Sequence, residues 1–249
     1  MPARSLFTGV LDFLLPRRCC LCAAVIDVDG APALSHFCPA CYERLRDGAP
    51  GRCLRCSAPL GPGDAHAERC LSCRTAQLAF RRSWAAGDYD GHLRDLILAL
   101  KFGKRSDLAP ALAGLLHSAL SAQVDGAPWD AIVPVPARWQ GLLSRGFSPV
   151  DLIAQHLARR LRIPSRRALR FRAATPRQVG LTRSARFKNV KRAFVVSAPR
   201  VARARRLLLL DDVMTTGATA SECVRALRKA GAACVEVAVV AKANLFIGA

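Results

Sequence analysis

Residues 207–220 read LLLLDDVMTTGATA and join an apolar run to two adjacent aspartates and a threonine-rich turn. The apolar run predicts a strand over 206–211 that is covered on both faces, because no polar residue alternates with its leucines. A helix is predicted over 218–230, ended by Gly231, and a second strand over 234–240. The order strand, helix, strand predicts an α/β fold with a doubly wound, mostly parallel sheet, whose ligands bind at the carboxyl ends of the strands.

The turn after the first strand has the features of an anion-binding site. Residues 215–219, TTGAT, lead into the N-terminus of the predicted helix, where free backbone N–H groups and the helix dipole favour a phosphate. The hydroxyls of Thr215, Thr216 and Thr219 converge on the same place, and Gly217 permits a close approach of the backbone. Neither G-x-x-x-x-G-K-[ST] nor G-x-G-x-x-G occurs in the sequence, so the loop is a phosphate cradle of another kind.

Two acids stand beside this cradle. Asp211 and Asp212 would repel a phosphate, but they can accept hydrogen bonds from sugar hydroxyls attached to it. The inferred ligand is therefore a ribose 5-phosphate. Because side chains alternate between the faces of a strand, the two neighbouring acids are expected to play different roles.

Helices and strands alternate from about residue 84 onward. A short buried strand is predicted over 131–135, and apolar spacing predicts helices over 92–102, 108–124 and 150–161. The chain is 249 residues long and 51% hydrophobic, which is enough for one sizeable core and a smaller module. We therefore expect two domains, over 1–80 and 81–249.

The start of the chain predicts neither a membrane span nor a signal peptide. Its longest apolar run, 6–15, is interrupted by Asp12 and is too short to cross a bilayer. No small-residue cleavage site follows this run, so a cytoplasmic protein is expected.

Four C-x-x-C pairs dominate the first 80 residues, separated by 15, 11 and 13 residues. Two such pairs supply the four sulfurs of a tetrahedral, structural zinc site with no open position for substrate. The loop lengths favour sequential pairing, although an interleaved pairing of first with third pair stays open. The sequence thus predicts two zinc ions, one bound by Cys19, Cys22, Cys38 and Cys41 and the other by Cys53, Cys56, Cys70 and Cys73.

The net charge of +20 is unevenly distributed along the chain. Residues 152–210 contain 17 Lys or Arg and no Asp or Glu. A solvated surface usually mixes the two signs, so this segment favours a phosphate-rich partner, either a small ligand or a nucleic acid. The alternative is that the arginines serve only solubility.

Several segments of the sequence resemble those of known protein families. The run LLLLDDVMTTGAT is similar across its whole length to the signature of type I phosphoribosyltransferases, which bind 5-phosphoribosyl 1-pyrophosphate (PRPP). The wider chain resembles the ComF family, in which a zinc-ribbon module precedes such a domain. The supporting segments cover nearly the whole chain: PRRCCLC at 16–22, LALKFGKR at 98–105, VPVP at 133–136, RGF at 145–147 and TPRQVGLTRSARFKNVKRAF at 175–194.

The resemblance implies roles for individual residues. Asp211 and Asp212 would be catalytic, and Val213, Met214 and Ala218 would join the threonines and Gly217 in binding PRPP. The pyrophosphate loop would comprise Pro136, Ala137 and Arg138. A mobile hood over about 172–194, whose cations would meet the leaving pyrophosphate, would contribute Thr175, Gln178, Leu181, Arg186 and Asn189. The alternative for these hood residues is a solvated basic loop.

The implied reaction is the displacement of pyrophosphate from ribose by a nitrogen nucleophile, with Mg²⁺ bound to PRPP and no protein nucleophile. Three functions are compatible with it: phosphoribosyl transfer, handling of single-stranded DNA as the family's link to natural competence implies, and PRPP sensing without transfer. We expect a PRPP-binding, phosphoribosyltransferase-like protein acting in DNA uptake, with nucleotide salvage as the second choice.

Overall fold

The computed structural model describes residues 16–26, 36–46, 51–61, 70, 73, 76–124, 128–137, 146–172, 193–203 and 205–243. The strands of this part of the chain are β1 (Ser83–Asp88), β2 (Ala131–Pro134), β3 (Leu169–Phe171), β4 (Phe194–Val196), β5 (Arg206–Met214) and β6 (Cys234–Lys242). The helices are α1 (Pro39–Arg46), α2 (Gly91–Phe102), α3 (Ala109–Ser121), α4 (Pro149–Leu161), α5 (Pro199–Ala202) and α6 (Ala218–Lys229).

The main sheet has the strand order β1-β6-β5-β2, and every neighbouring pair is parallel. All four strands therefore end at one carboxyl edge, with β5 between β6 and β2. Separately, β3 and β4 form an antiparallel pair in which Phe171 lies opposite Phe194. This pair brings together the two ends of the segment predicted to form the hood.

The leucines of β5 are buried on both faces of the sheet. Leu208 and Leu210 pack with residues of α2, α3 and α4, whereas Leu207 and Leu209 pack with residues of α6 and of the β3–β4 pair. All four leucine side chains are fully buried. The predicted α/β fold with a doubly wound parallel sheet is thus confirmed, since helices cover both faces.

Several predicted boundaries differ from the structure, including the end of β6, which lies at Lys242 and not at residue 240. β5 continues to Met214 instead of ending at Asp211, because its backbone stays paired with β6 as far as Met214 and Lys242. The helix predicted over 108–124 extends only from Ala109 to Ser121. It begins after a 3-10 turn over Ser106–Leu108, and Pro110 lies in its first turn.

Strand β1 was not predicted, because its sequence SWAAGD contains no β-branched residue and includes a glycine. Its glycine has a packing role. A Cβ atom on Gly87 would lie 2.8 Å from Leu93 Cδ2 and 3.1 Å from the carbonyl oxygen of Leu45. The N-terminal module therefore packs directly on β1 through α1, and only glycine leaves room for this contact.

Candidate functional site

The two predicted acids lie inside β5, close to the carboxyl edge of the sheet. Asp212 faces α2, where its carboxylate forms an ion pair with Lys101, with Oδ1 and Nζ 2.7 Å apart. Asp211 faces α6, where its charge contributes to raising the pKa of the buried Cys223 thiol, mainly an effect of burial. The two carboxylates therefore have different surroundings, as the alternation of side chains along a strand requires.

Lys101 is a site residue that the sequence reasoning missed. It lies in the last turn of α2, within the segment LALKFGKR, and its side chain is 21% exposed. The available signal was a lysine that directly follows the apolar run 96–100 of this helix. Its ammonium group is held beside the carboxylate of Asp212, so the carboxyl edge of the sheet carries a cation next to the acid pair.

Burial, with the charge of Asp212 as a second cause, raises the pKa of Asp211 to about 8. A hydrogen bond from the Asp212 backbone N–H to Asp211 Oδ1 at 2.9 Å and the charge of Lys101 act in the opposite direction. The folded chain thus holds a proton on Asp211 at pH values where the unfolded chain has released it.

The free energy of unfolding is therefore expected to fall as the pH rises from about 4, the usual pKa of an aspartate, towards about 8. The reason is that the folded state binds more protons than the unfolded state over this interval. Asp211→Asn removes this contribution, so its stability should vary less with pH and should exceed that of the wild type near pH 8. Urea unfolding of both proteins at several pH values measures this, and equal pH dependence in the two would contradict it.

The threonine loop, residues 215–219, connects β5 to the start of α6 at the carboxyl edge. Gly217 is the N-cap residue of α6 and has a φ of 75°, a left-handed conformation that glycine adopts without strain. Thr215 is exposed, and Thr216 and Thr219 are partly exposed, so their hydroxyls can reach a ligand. The Ala218 N–H donates to Thr216 Oγ1 at 3.4 Å.

Two other residues of the predicted loop lie deeper in the structure. Met214 is 4% exposed and its side chain belongs to the core beneath the loop, so only its backbone is available to a ligand. Val213 is partly buried and packs on the opposite face of the sheet.

Lys242, the last residue of β6, is a second residue that sequence reasoning missed. It is 6% exposed, and its Nζ donates to the carbonyl oxygens of Thr215 at 2.8 Å and Ala243 at 2.6 Å. Burial lowers the pKa of Lys242. Its signal in the sequence was a lysine that directly follows the apolar run 237–241. Its hydrogen bond to Thr215 fixes the threonine loop to β6.

The predicted pyrophosphate loop begins at the same edge. The Val135 N–H donates to the Leu210 carbonyl at 2.8 Å, which places Pro136 and Ala137 beside the acid-bearing end of β5. Both residues are partly exposed. The remaining residues predicted for the pyrophosphate loop and the hood lie outside the described part of the chain: Arg138, Thr175, Gln178, Leu181, Arg186 and Asn189.

The eight paired cysteines form two tetrads, one of Cys19, Cys22, Cys38 and Cys41 and the other of Cys53, Cys56, Cys70 and Cys73. Within each tetrad the sulfur atoms all lie within 4.8 Å of one another. The individual Sγ–Sγ distances include 3.6 Å for Cys22–Cys38 and 3.4 Å for Cys56–Cys70. A tetrahedron with Zn–S bonds of about 2.3 Å has edges of about 3.8 Å, so both tetrads fit a structural zinc. The sequential pairing is confirmed, and the interleaved alternative is wrong.

The first C-x-x-C turn of each tetrad, its first knuckle, repeats the same backbone geometry (Cys19–Cys22 and Cys53–Cys56). Cys19 N–H donates to Ala24 O and Cys53 N–H donates to Ala58 O, both at 2.8 Å. Ala23 and Ser57 follow the second cysteine of each knuckle, and both have a positive φ, of 58° and 56°. The first knuckles of the two ribbons are therefore local repeats that differ mainly in the side chains they carry.

Metal analysis by mass spectrometry is expected to find two zinc ions per chain purified without chelator. Cys56→Ser should leave one, because it opens the second tetrad and leaves the first intact. Each structural zinc is expected to contribute roughly 10 to 16 kcal/mol to folding of its ribbon. A wild-type stoichiometry near zero would contradict this prediction, and a stoichiometry of one would mean that a single tetrad holds metal.

Comparison with known proteins agrees with both parts of the chain. Residues 10–74 match the double zinc ribbon domain and residues 140–244 match the phosphoribosyl transferase domain. The chain is 34% identical over 230 residues to the DNA utilization protein YhgH of Salmonella typhi, covering 90% of this chain and 96% of that protein. The chain belongs to the ComF family. This ComF-family chain is also 29% identical over 225 residues to Competence protein F of Haemophilus influenzae, covering 88% of this chain and 94% of that protein.

Among solved structures, the ComF-family chain is similar to the glutamine phosphoribosylpyrophosphate amidotransferase from B. subtilis. The identity is 22% and the TM-score is 0.36, over 55% of this chain and 26% of that chain. Within the described ranges, the ComF-family chain has no helix with both the length and the apolar character that a membrane crossing needs.

Proposed function

We propose that this ComF-family chain binds PRPP together with Mg²⁺ at the carboxyl edge of its sheet and acts in DNA uptake. The observation that carries the proposal is the convergence of three features on the end of β5. These are the acid pair, the threonine loop at the start of α6, and the beginning of the loop at Pro136. A ribose with a 5-phosphate and a pyrophosphate needs this combination of groups.

Each part of PRPP has a proposed set of partners. The 5-phosphate binds the hydroxyls and backbone N–H groups of Thr215, Thr216 and Thr219, at the positive end of the α6 dipole. The ribose hydroxyls donate to Asp211 and Asp212. The pyrophosphate is proposed to lie towards Pro136, Ala137 and Arg138, with hood residues Thr175, Gln178, Arg186 and Asn189 closing over it.

Transfer from the bound PRPP would break the bond between the ribose anomeric carbon and pyrophosphate, which leaves with the electron pair, and form a bond to a nitrogen nucleophile. Mg²⁺ bound with PRPP would neutralise part of the pyrophosphate charge. The chain's own contribution is to hold the ribose by its hydroxyls, to hold the phosphate, and to supply the cationic charge of Lys101 nearby.

A role in DNA uptake is supported by the names of the relatives, a DNA utilization protein and a competence protein. It is also supported by the 17 cations without an acid in 152–210. The described arginines of this segment include Arg166 and Arg170, which are exposed. The proposed location is the cytoplasm, where a reducing environment keeps cysteine thiolates available to zinc.

Nucleotide salvage is the second candidate function, because the acid pair and the phosphate loop are both complete. The two functions differ in what happens to PRPP. A salvage enzyme consumes it when a nucleobase is added, whereas a PRPP-regulated DNA-handling protein binds it without turnover.

Calorimetric titration of the wild-type chain with PRPP and Mg²⁺ tests the proposal. Binding with a 1:1 stoichiometry is expected, and an absence of heat at millimolar PRPP would reject it. Release of pyrophosphate in the presence of a panel of nucleobases separates the two functions: turnover supports salvage, and binding without turnover supports the DNA-handling function.

A further inference from the structure

The second zinc ribbon contacts the phosphoribosyltransferase-like domain through side chains that the first ribbon lacks. The two knuckles are equivalent at an offset of 34 residues, since Cys19 corresponds to Cys53. At this offset Leu21 of the first knuckle corresponds to Arg55 of the second, and Ala23 corresponds to Ser57. Arg55 and Ser57 reach out of their ribbon, as does Arg52, whose Nη1 donates to Asp88 Oδ1 on β1 at 3.0 Å.

The Arg55 and Ser57 side chains form hydrogen bonds with residues that follow the ribbon. These residues belong to the linker, residues 76–82, and to the start of β1. Arg55 Nη2 donates to the carbonyl oxygen of Leu78 at 2.9 Å. Ser57 Oγ and Ser83 Oγ lie 2.8 Å apart, and Ser83 Oγ donates to the carbonyl of Arg55 at 2.9 Å. The knuckle, the linker and the start of β1 are thus held as one hydrogen-bonded unit.

The linker touches the threonine loop on its other side. A Cβ atom on Gly217 would lie 2.8 Å from Leu78 Cδ2 and 3.3 Å from Phe80 Cζ, so both side chains pack against the turn. Phe80 is 1% exposed. Leu78 therefore connects the two sites: its carbonyl is held by Arg55, and its side chain contacts the glycine of the loop.

Two further hydrogen bonds tie the linker to α6, the helix that begins at this loop. The Ala79 N–H donates to Ser221 Oγ at 3.2 Å, and Arg225 Nη2 donates to the Gln77 carbonyl at 3.0 Å. Ser221 is 2% exposed, so its bond to the linker is shielded from water. The linker is consequently packed between the second ribbon and the start of α6.

The first ribbon has a different position. Its buried residues Cys19, Phe37, Cys41 and Tyr42 belong to the core on the other face of the sheet, with α2, α3 and α4. The second tetrad instead forms a small cluster of its own, against which Leu78 packs. Among the described residues of the two ribbons, those of the second are the ones placed to act on the threonine loop through this linker.

The geometry points to a positioning role for the second zinc ribbon: with Cys53, Cys56, Cys70 and Cys73 closed on a metal, Arg55 and Ser57 hold Leu78 against Gly217 and thereby keep the threonine loop in one conformation. Arg55, Ser57 and Leu78 are positioning residues, because none of them needs to touch the ligand. That the ligand of the loop is PRPP rests on the proposed function, whereas the order of the loop does not.

The test uses the full-length, zinc-loaded chain and replaces two side chains of the second knuckle by those at the equivalent positions of the first. The double variant Arg55→Leu, Ser57→Ala keeps all eight cysteines and the knuckle backbone, so its zinc content is expected to stay at two. Hydrogen exchange of the segment 214–221 is then measured without PRPP. The variant loses the Arg55–Leu78 and Ser57–Ser83 hydrogen bonds, and loss of the bond to Leu78 is expected to speed exchange over 214–221 by about tenfold. PRPP affinity should fall by a similar factor.

Arg18→Met is the matched control, because Arg18 Nη1 donates to Ala23 O at 3.1 Å inside the first knuckle and makes no part of the linker contact. Its exchange over 214–221 should equal that of the wild type. Leu78→Ala is a second variant that removes the side chain at Gly217 but keeps the backbone carbonyl that Arg55 binds. It should also speed exchange over 214–221, and it decides the question if the double variant does not fold.

The positioning role would be overturned if Leu78→Ala and a folded double variant both showed the wild-type exchange rate over 214–221. It would also be overturned if Arg18→Met showed the same acceleration as these variants. Altered exchange together with a wild-type chain that does not bind PRPP would uphold the positioning role and reject the proposed function. The two proposals therefore fail separately.

Discussion

Asp212→Asn is expected to weaken the binding of PRPP with Mg²⁺ by about 100-fold, because it removes a charged acceptor of ribose hydroxyls worth about 1.5 to 3 kcal/mol per hydrogen bond. The same change breaks the ion pair with Lys101, whose ammonium group lies 2.7 Å from Asp212 Oδ1. The neutral amide would still fill the space, so the fold should persist. Calorimetric titration of wild type and variant measures the difference.

Asp130→Asn is the matched control for this variant. Asp130 Oδ2 accepts a hydrogen bond from the Arg206 N–H at 2.7 Å, at the opposite end of β5. Asp130 directly precedes β2, and its substitution also removes a hydrogen-bonded carboxylate that contacts β5, but away from the proposed site, so PRPP affinity should stay at the wild-type level. Equal affinities of Asp212→Asn and wild type would show that Asp212 does not hold the ribose.

Single-stranded DNA is expected to bind mainly through the basic segment 159–206, without sequence preference and in competition with PRPP. For single strands, the logarithm of the affinity falls by about 0.7 per phosphate neutralised for each tenfold rise in salt concentration. If about five phosphates are neutralised, a fourfold increase in salt lowers the affinity by about 100-fold. Fluorescence anisotropy with a labelled oligonucleotide across a salt series, with and without PRPP, measures both effects.

Replacing Arg166, Arg167 and Arg170 together by serine should lower the salt slope by about 2 units, through loss of about three phosphate contacts. Arg166 and Arg170 are exposed, and Arg167 is 73% exposed although it pairs with Asp151 at 2.8 Å. Thr216→Ala should weaken PRPP binding and leave most of the DNA affinity.

Replacing three exposed cations outside the segment, Arg94, Arg228 and Lys229, is the matched control. It removes the same net charge and should leave the salt slope nearly unchanged. An affinity independent of salt, or no binding at low salt, would reject DNA binding by this segment.

Much of the fold could be predicted because its signals are local. Four leucines without polar alternation predicted a strand covered on both faces, and the helices α2, α4 and α6 begin and end within one residue of their predicted bounds. Strand β1 escaped prediction because alanine and glycine carry no strand signal, and its pairing with β6 supplies the missing stability. The domain boundary at residue 80 stays a prediction.

The sequence by itself determined the chemistry of the sites, since cysteine spacing, an acid pair and a threonine turn are each contained in a few consecutive residues. Tertiary structure decided which distant groups meet them. Lys101 reaches Asp212, Lys242 holds Thr215, and the Arg55–Leu78 bond joins the second tetrad to Gly217. The tertiary structure also raises the pKa of Asp211, because it buries this side chain. These partners lie on separate elements, and only the packing of those elements sets their distances, so no local pattern could predict them.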